Sequence, residues 1–135
     1  MKNRAPIAPG VPISLFNIKK RDFFGIFETG MDKKGEIEKL TKLIKPNVGL
    51  ITNISYAHIK NFKNISKIAE AKSELIDNVS ENGTIVLNKD DNFFNFFKNK
   101  AIKKNLKIIS FSKKKKKQIF NLLHVSKKNL TIQLL

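Results

Sequence analysis

Lys72 stands on an apolar stripe. Ile65, Ile68, Leu75 or Ile76, and Val79 recur at helical spacing, and position 72 falls four residues after Ile68 and seven after Ile65. A lysine on that inward line either snorkels its ammonium out to water or keeps it inside with a partner and a shifted pKa. A desolvated, partly neutral amine is what carbamylation by carbon dioxide requires, and the carbamate would give a metal site one more carboxylate. Glu28 and His58 are the other half of such a site. Magnesium takes oxygen ligands, uses one or two protein carboxylates and fills the remaining positions with phosphate and water. A single loop histidine serves equally as a structural hydrogen-bonder. Asn53, Asn88 and Asp90 are polar residues set just after apolar runs. Asn88 and Asp90 face either a ligand or their own backbone, as a turn and a helix N-cap. No GxxxxGK[ST] phosphate loop occurs, cysteine is absent, and no serine is paired with an ordered histidine.

These residues need elements to hold them. Pro6, Pro9, Gly10 and Pro12 make the first stretch read as loop. Phe23–Phe27 is a short apolar run that ends at Glu28-Thr-Gly and reads as a buried strand. Lys34–Ile44 carries Ile37, Leu40 and Leu43 or Ile44 at helical spacing, and Pro46 stops it. Val48–Ile54 is a second strand. Asn64 caps a helix running to about Val79, and Thr84–Leu87 is a third strand closed by Asn88-Lys-Asp-Asp. A short helix covers about Asp91–Lys100, Leu106–Phe111 is a fourth strand, and Ile119–Val125 with Leu130–Leu135 reads as a final pair, a hairpin around Lys127-Lys128-Asn129. Apolar strands alternating with helices imply an α/β fold, a mostly parallel sheet covered on both faces by flanking helices. Chemistry in such sheets gathers at the carboxyl ends of the strands. That rule selects Glu28, Asn53 with the loop to His58, and Asn88 with Asp90, and expects the three strand ends to lie together.

Length and charge narrow the function classes. The 135 residues suffice for about one domain, with 41% hydrophobic and 28% charged residues, a globular composition. No apolar run reaches the roughly 18 residues of a membrane span, so a cytoplasmic protein without a membrane span is the expectation. The net charge of +16 is uneven. Before Asn92 there are fifteen basic and eleven acidic residues; from Asn92 onward there are twelve lysines and no acid, peaking at Lys113–Lys117. Such a run can hold a phosphate backbone through counterion release. Only two arginines occur, there is no tryptophan, and Tyr56 is the single tyrosine, so base readout and stacking are poorly served. The sequence argues against nucleic acid as a partner.

Five segments, in order, resemble the central domain of the Mur ligases. They are Gly10-Val-Pro-Ile-Ser-Leu; Phe27-Glu-Thr-Gly-Met-Asp-Lys-Lys-Gly-Glu-Ile, similar to E-x-G-M-x-x-x-G-E-I; and Ile51-Thr-Asn-Ile-Ser-Tyr-Ala-His-Ile, similar to ITNI-x-x-AH-[LI]. The others are Ile68-Ala-Glu-Ala-Lys-Ser-Glu, similar to IA-x-AK-x-E, and Gly83-Thr-Ile-Val-Leu-Asn-Lys-Asp-Asp, similar to G-x-x-V-L-N-x-DD. The resemblance implies an ATP-dependent amide-forming ligase of peptidoglycan precursor synthesis. In that reaction a substrate carboxylate attacks the ATP γ-phosphate, and an amine displaces phosphate from the acyl phosphate. The Gly35-Glu36-Ile37 and Ala57-His58 contexts favour the dipeptide-adding branch, whose substrates are UDP-N-acetylmuramoyl-tripeptide and D-alanyl-D-alanine.

By the same resemblance, Glu28 matches the ligand of the magnesium shared with ATP, and His58 a ligand of a second magnesium. Lys72 matches the lysine whose carbamate holds that second ion, and Asn53, Asn88 and Asp90 border the nucleotide cleft. The matched region begins after the family's phosphate-binding loop. Residues 1–112 therefore read as part of a P-loop-type central domain lacking its P-loop, and residues 113–135 as a lysine-rich loop and terminal strands continuing it. Such a fragment is expected to be inactive alone and to leave a sheet edge uncovered. The alternatives are another Mur-type amide ligase or a small basic nucleic-acid-binding protein.

Overall fold

The computed structural model describes residues 10–19, 21–56, 59–113 and 130–134. The first described element is α1 (Gly10–Phe16), where the prolines predict loop. Pro12 sits in the first turn, and there the backbone N–H has no intrahelical acceptor, so a proline costs the helix nothing. Strand β1 (Phe24–Glu28) leads to α2 (Glu36–Ile44), and β2 (Val48–Ile51) leads to α3 (Ile65–Lys72) and α4 (Glu74–Asn78). Strand β3 (Thr84–Asn88), α5 (Phe94–Lys103), β4 (Lys107–Phe111) and β5 (Leu130–Leu134) complete the order.

Two predicted elements are shorter in the fold, for identifiable reasons. The helix expected over Asn64–Val79 breaks at Ser73, whose hydroxyl donates back to the Glu70 carbonyl at 2.6 Å and competes with the helical ladder. Asn64 does cap α3, accepting the Lys67 N–H at 3.0 Å. Strand β2 stops at Ile51 and not Ile54, and the Ile54 N–H is bonded to the Asp91 carboxylate in place of a strand partner.

All five strands are parallel, in the order β1-β5-β2-β3-β4. Both edges of β5 are occupied, by β1 on one side and β2 on the other. The terminal hairpin expected from the sequence is therefore not formed by Leu130–Leu134; its other half, Ile119–Val125, lies outside the described residues. The described helices flank one face of this parallel sheet. The chain steps β1, β2, β3, β4 in one direction across the sheet, and right-handed crossovers put the described helices that connect these four strands on the same side. Phe27, Gly49, Ile51, Ile85 and Leu87 share that side and are buried. On the other side Phe24 and Ile26 are 66% and 60% exposed, and no described helix covers them.

The covered face holds the core. Ile37, Ile51, Ile68, Leu75, Ile76, Ile85, Leu87 and Phe97 form its main cluster, and Val11, Phe27, Leu40 and Ile44 a second one under α1. Helix α4 lies so close to β2 that a Cβ on Gly49 would meet Leu75 at 3.0 Å and Ile85 at 2.9 Å. Helix α2 starts at Gly35, in a left-handed conformation (φ 88°), without a cap of its own. Its cap comes from α4. Glu74, buried beside it, accepts the Gly35 N–H at 2.8 Å and the Glu38 N–H at 3.0 Å. A carboxylate at a helix N-terminus also meets the positive end of the helix dipole. Removing a charge-assisted bond of this kind costs about 2–3 kcal/mol. Glu74→Ala should therefore lower the urea midpoint by that much stability while leaving the slope unchanged.

Candidate active site at the carboxyl ends of the strands

The strand ends carry the polar residues the sequence selects. Register places Glu28 level with Leu134 and, through it, with Leu50, so β5 separates Glu28 from the β2 exit by two strand spacings, about 10 Å. The loop after Glu28 turns back toward β2, because Met31 is buried in the main cluster with Ile51 and Ile68. Asn88 ends β3, the direct neighbour of β2. Glu28, Asn53 and Asn88 therefore share one end of the sheet, with only the Asn53 and Asn88 strands adjacent.

Lys72 is where sequence and structure meet most closely. It is the last residue of α3, half-buried, and its Nζ donates to the Asn53 carbonyl at 3.1 Å. The ammonium is neither snorkelled free nor paired with a carboxylate at contact distance. Burial lowers its pKa below the ordinary lysine value, and the nearby Asp91 charge opposes that shift.

Asn53 enters through its main chain, as the acceptor for Lys72, while its side-chain Oδ1 receives the Thr52 hydroxyl at 3.2 Å. Asn88 forms the turn that the sequence allowed, its Oδ1 accepting the Asp90 N–H at 3.0 Å. Asp90 is not a helix cap. It ties the exits of β3 and β4 together, accepting the Ser112 hydroxyl and the Lys113 N–H, both at 2.7 Å. His58 lies outside the described residues.

Sequence reasoning missed two carboxylates. Asp91 bonds the Ile54 N–H at 2.7 Å and Glu74 caps α2, and each closes one of the quoted segments. Their position at the ends of those segments was the only signal available. Among the described residues no three His, Cys, Asp or Glu converge on a metal-sized space. The donors still suit magnesium in kind: Glu28 offers a carboxylate at the end of β1.

A one-directional α/β sheet with an inward lysine at its carboxyl end, between the E-x-G-M-x-x-x-G-E-I and VLN-x-DD segments, defines the class. The chain belongs to the Mur ligase family, matching the Mur ligase middle domain over residues 2–134. It is similar to the UDP-N-acetylmuramoyl-tripeptide–D-alanyl-D-alanine ligase of Buchnera aphidicola subsp. Baizongia pistaciae, 39% identical over 111 residues that make up 82% of this chain and 24% of that protein. The enzyme of the same name from Rickettsia prowazekii is 40% identical over 99 residues, 73% of this chain and 22% of its own. Among solved structures, MurF from Acinetobacter baumannii superimposes with a TM-score of 0.71 at 31% identity, covering 76% of this chain and 22% of that one. The chain thus spans about a quarter of the length of the relatives it matches. No helix among the described residues is long and apolar enough to cross a membrane.

Proposed function

We propose that this chain supplies the metal-facing wall of an ATP-dependent ligase that joins D-alanyl-D-alanine to UDP-N-acetylmuramoyl-tripeptide in peptidoglycan precursor synthesis. Residues 1–112 belong to the middle domain of that enzyme and residues 113–135 continue it. The observation that carries the reading is Lys72: an inward, half-desolvated amine held on the Asn53 carbonyl at the strand ends of a Mur ligase fold.

Glu28, His58 and Lys72 are the residues to hold magnesium, Lys72 after its nitrogen adds to carbon dioxide and loses a proton. Magnesium, when bound, neutralises the charge spread over a transferring phosphoryl group. Glu28 contributes a carboxylate from the end of β1, a rigid element. Asn53 holds the Lys72 ammonium at the cleft through its carbonyl, and burial reduces the cost of removing its proton. Asn88 and Asp90 shape the nucleotide side of the cleft by fixing the β3 and β4 exits. The cytoplasm, where the nucleotide-linked precursor is made, is the proposed location.

The test is a ligation assay on the full ligase carrying this segment. It should release phosphate only when the tripeptide precursor, D-alanyl-D-alanine, ATP and magnesium are all present. Equal turnover with a different amino acceptor would point to another Mur-type ligase.

A further inference from the structure

Asp91 divides its carboxylate between two main-chain donors. Oδ1 accepts the Phe93 N–H at 2.8 Å, a local turn ahead of α5. Oδ2 accepts the Ile54 N–H at 2.7 Å, 37 residues away, in the loop leaving β2. The peptide unit that carries the Ile54 N–H also carries the Asn53 C=O, and the two point in opposite directions from one rigid plane. Asp91 grips one end of that plane, and Lys72 Nζ bonds the other end at 3.1 Å.

We infer that Asp91 is the positioning residue for Lys72, acting through the Asn53–Ile54 peptide plane. A bond from a carboxylate to a backbone N–H is short and strong, so it sets the orientation of the plane. The Asn53 carbonyl then fixes where the lysine nitrogen rests. Without the tie, the loop after β2 has no strand partner at Ile54, and the carbonyl is free to turn away from Lys72. The inference rests on the ligase reading only for its consequence in catalysis; the geometry stands apart from it.

Asp91→Asn separates the two bonds. An asparagine satisfies the local turn as well as an aspartate does, but its second atom is a donor and cannot accept the Ile54 N–H. In the 135-residue chain, observed by NMR, the Ile54 amide should exchange at least about tenfold faster in this variant, with the Phe93 amide unchanged. The Lys72 side-chain resonance should shift, and that of Lys100, which bonds Asp77 at 2.7 Å, should stay. The wild-type chain needs no variant: a scalar coupling across the hydrogen bond should link the Ile54 nitrogen to the Asp91 carboxyl carbon. Absence of that coupling, or unchanged Ile54 exchange in Asp91→Asn, overturns the inference. So does release of Ile54 with no change at Lys72, which would make Asp91 a loop tie and nothing more. Failure of the ligase reading appears separately, as absent ligation in the full enzyme.

Discussion

Replacing Lys72 by alanine in the full ligase should slow ligation at least about a hundredfold. Metal-derived stabilisation of a phosphoryl-transfer transition state amounts to several kcal/mol, and each 1.36 kcal/mol is tenfold in rate. A short carboxylic acid added to the Lys72→Ala enzyme should restore part of the rate by standing in for the lost carbamate. Near wild-type turnover in the variant would make Lys72 a packing residue and remove the main support for the proposed function. Stability should move the other way. The ammonium is partly desolvated, so exchanging it for an apolar side chain of similar length relieves that penalty, and Lys72→Met should melt no lower than the parent. The pH dependence has a definite sign. The folded-state pKa lies below the unfolded value of 10.5, so the unfolded chain binds the proton more tightly. The penalty is fully present below the folded pKa and fades as pH rises toward 10.5. The stability gap between Lys72→Met and the parent should therefore narrow with rising pH, as thermal melts at neutral and alkaline pH would show.

Residues 1–135 alone should not bind Mg-ATP specifically. Glu28 and His58 provide only part of a magnesium shell, and magnesium at such sites is held largely through substrate phosphates. No GxxxxGK[ST] loop is present, so the oriented backbone donors and lysine that grip β- and γ-phosphates are not supplied by these residues. Lys113–Lys117 offers charge, and binding through charge alone weakens with salt. Calorimetry at moderate ionic strength should record no saturable heat. A one-to-one, magnesium-dependent, micromolar association would reveal a complete nucleotide site within the chain.

Much of the site was legible before folding was considered. The stripe of Ile65, Ile68 and Val79 put Lys72 inward, and the fold buries it by half at the position so identified. The apolar runs placed Glu28 and Asn88 at strand ends, because runs bounded by turn residues are a local signal. Asn64 announced the start of α3 by its type and place. Legibility failed where the partner was distant. Nothing local about Ile54 distinguishes a strand residue from a loop residue pinned by Asp91. Likewise nothing near Gly35 foretells that its helix is capped by Glu74, 39 residues later.

Period and punctuation, then, carry the alternation of strands and helices from β1 to β4, the inward lysine and the parallel class of the sheet, since each depends on neighbours within a few residues. Tertiary structure decided the rest. Strand β5 entered between β1 and β2, setting Glu28 two strand spacings from the β2 exit, and the steady march from β1 to β4 put the described helices between those strands on one face. Carboxylates from distant segments settled which loop carbonyl meets Lys72 and where α2 begins. Those outcomes follow from main-chain donors and acceptors that must find partners wherever the fold brings them, and no local pattern records which partner that will be.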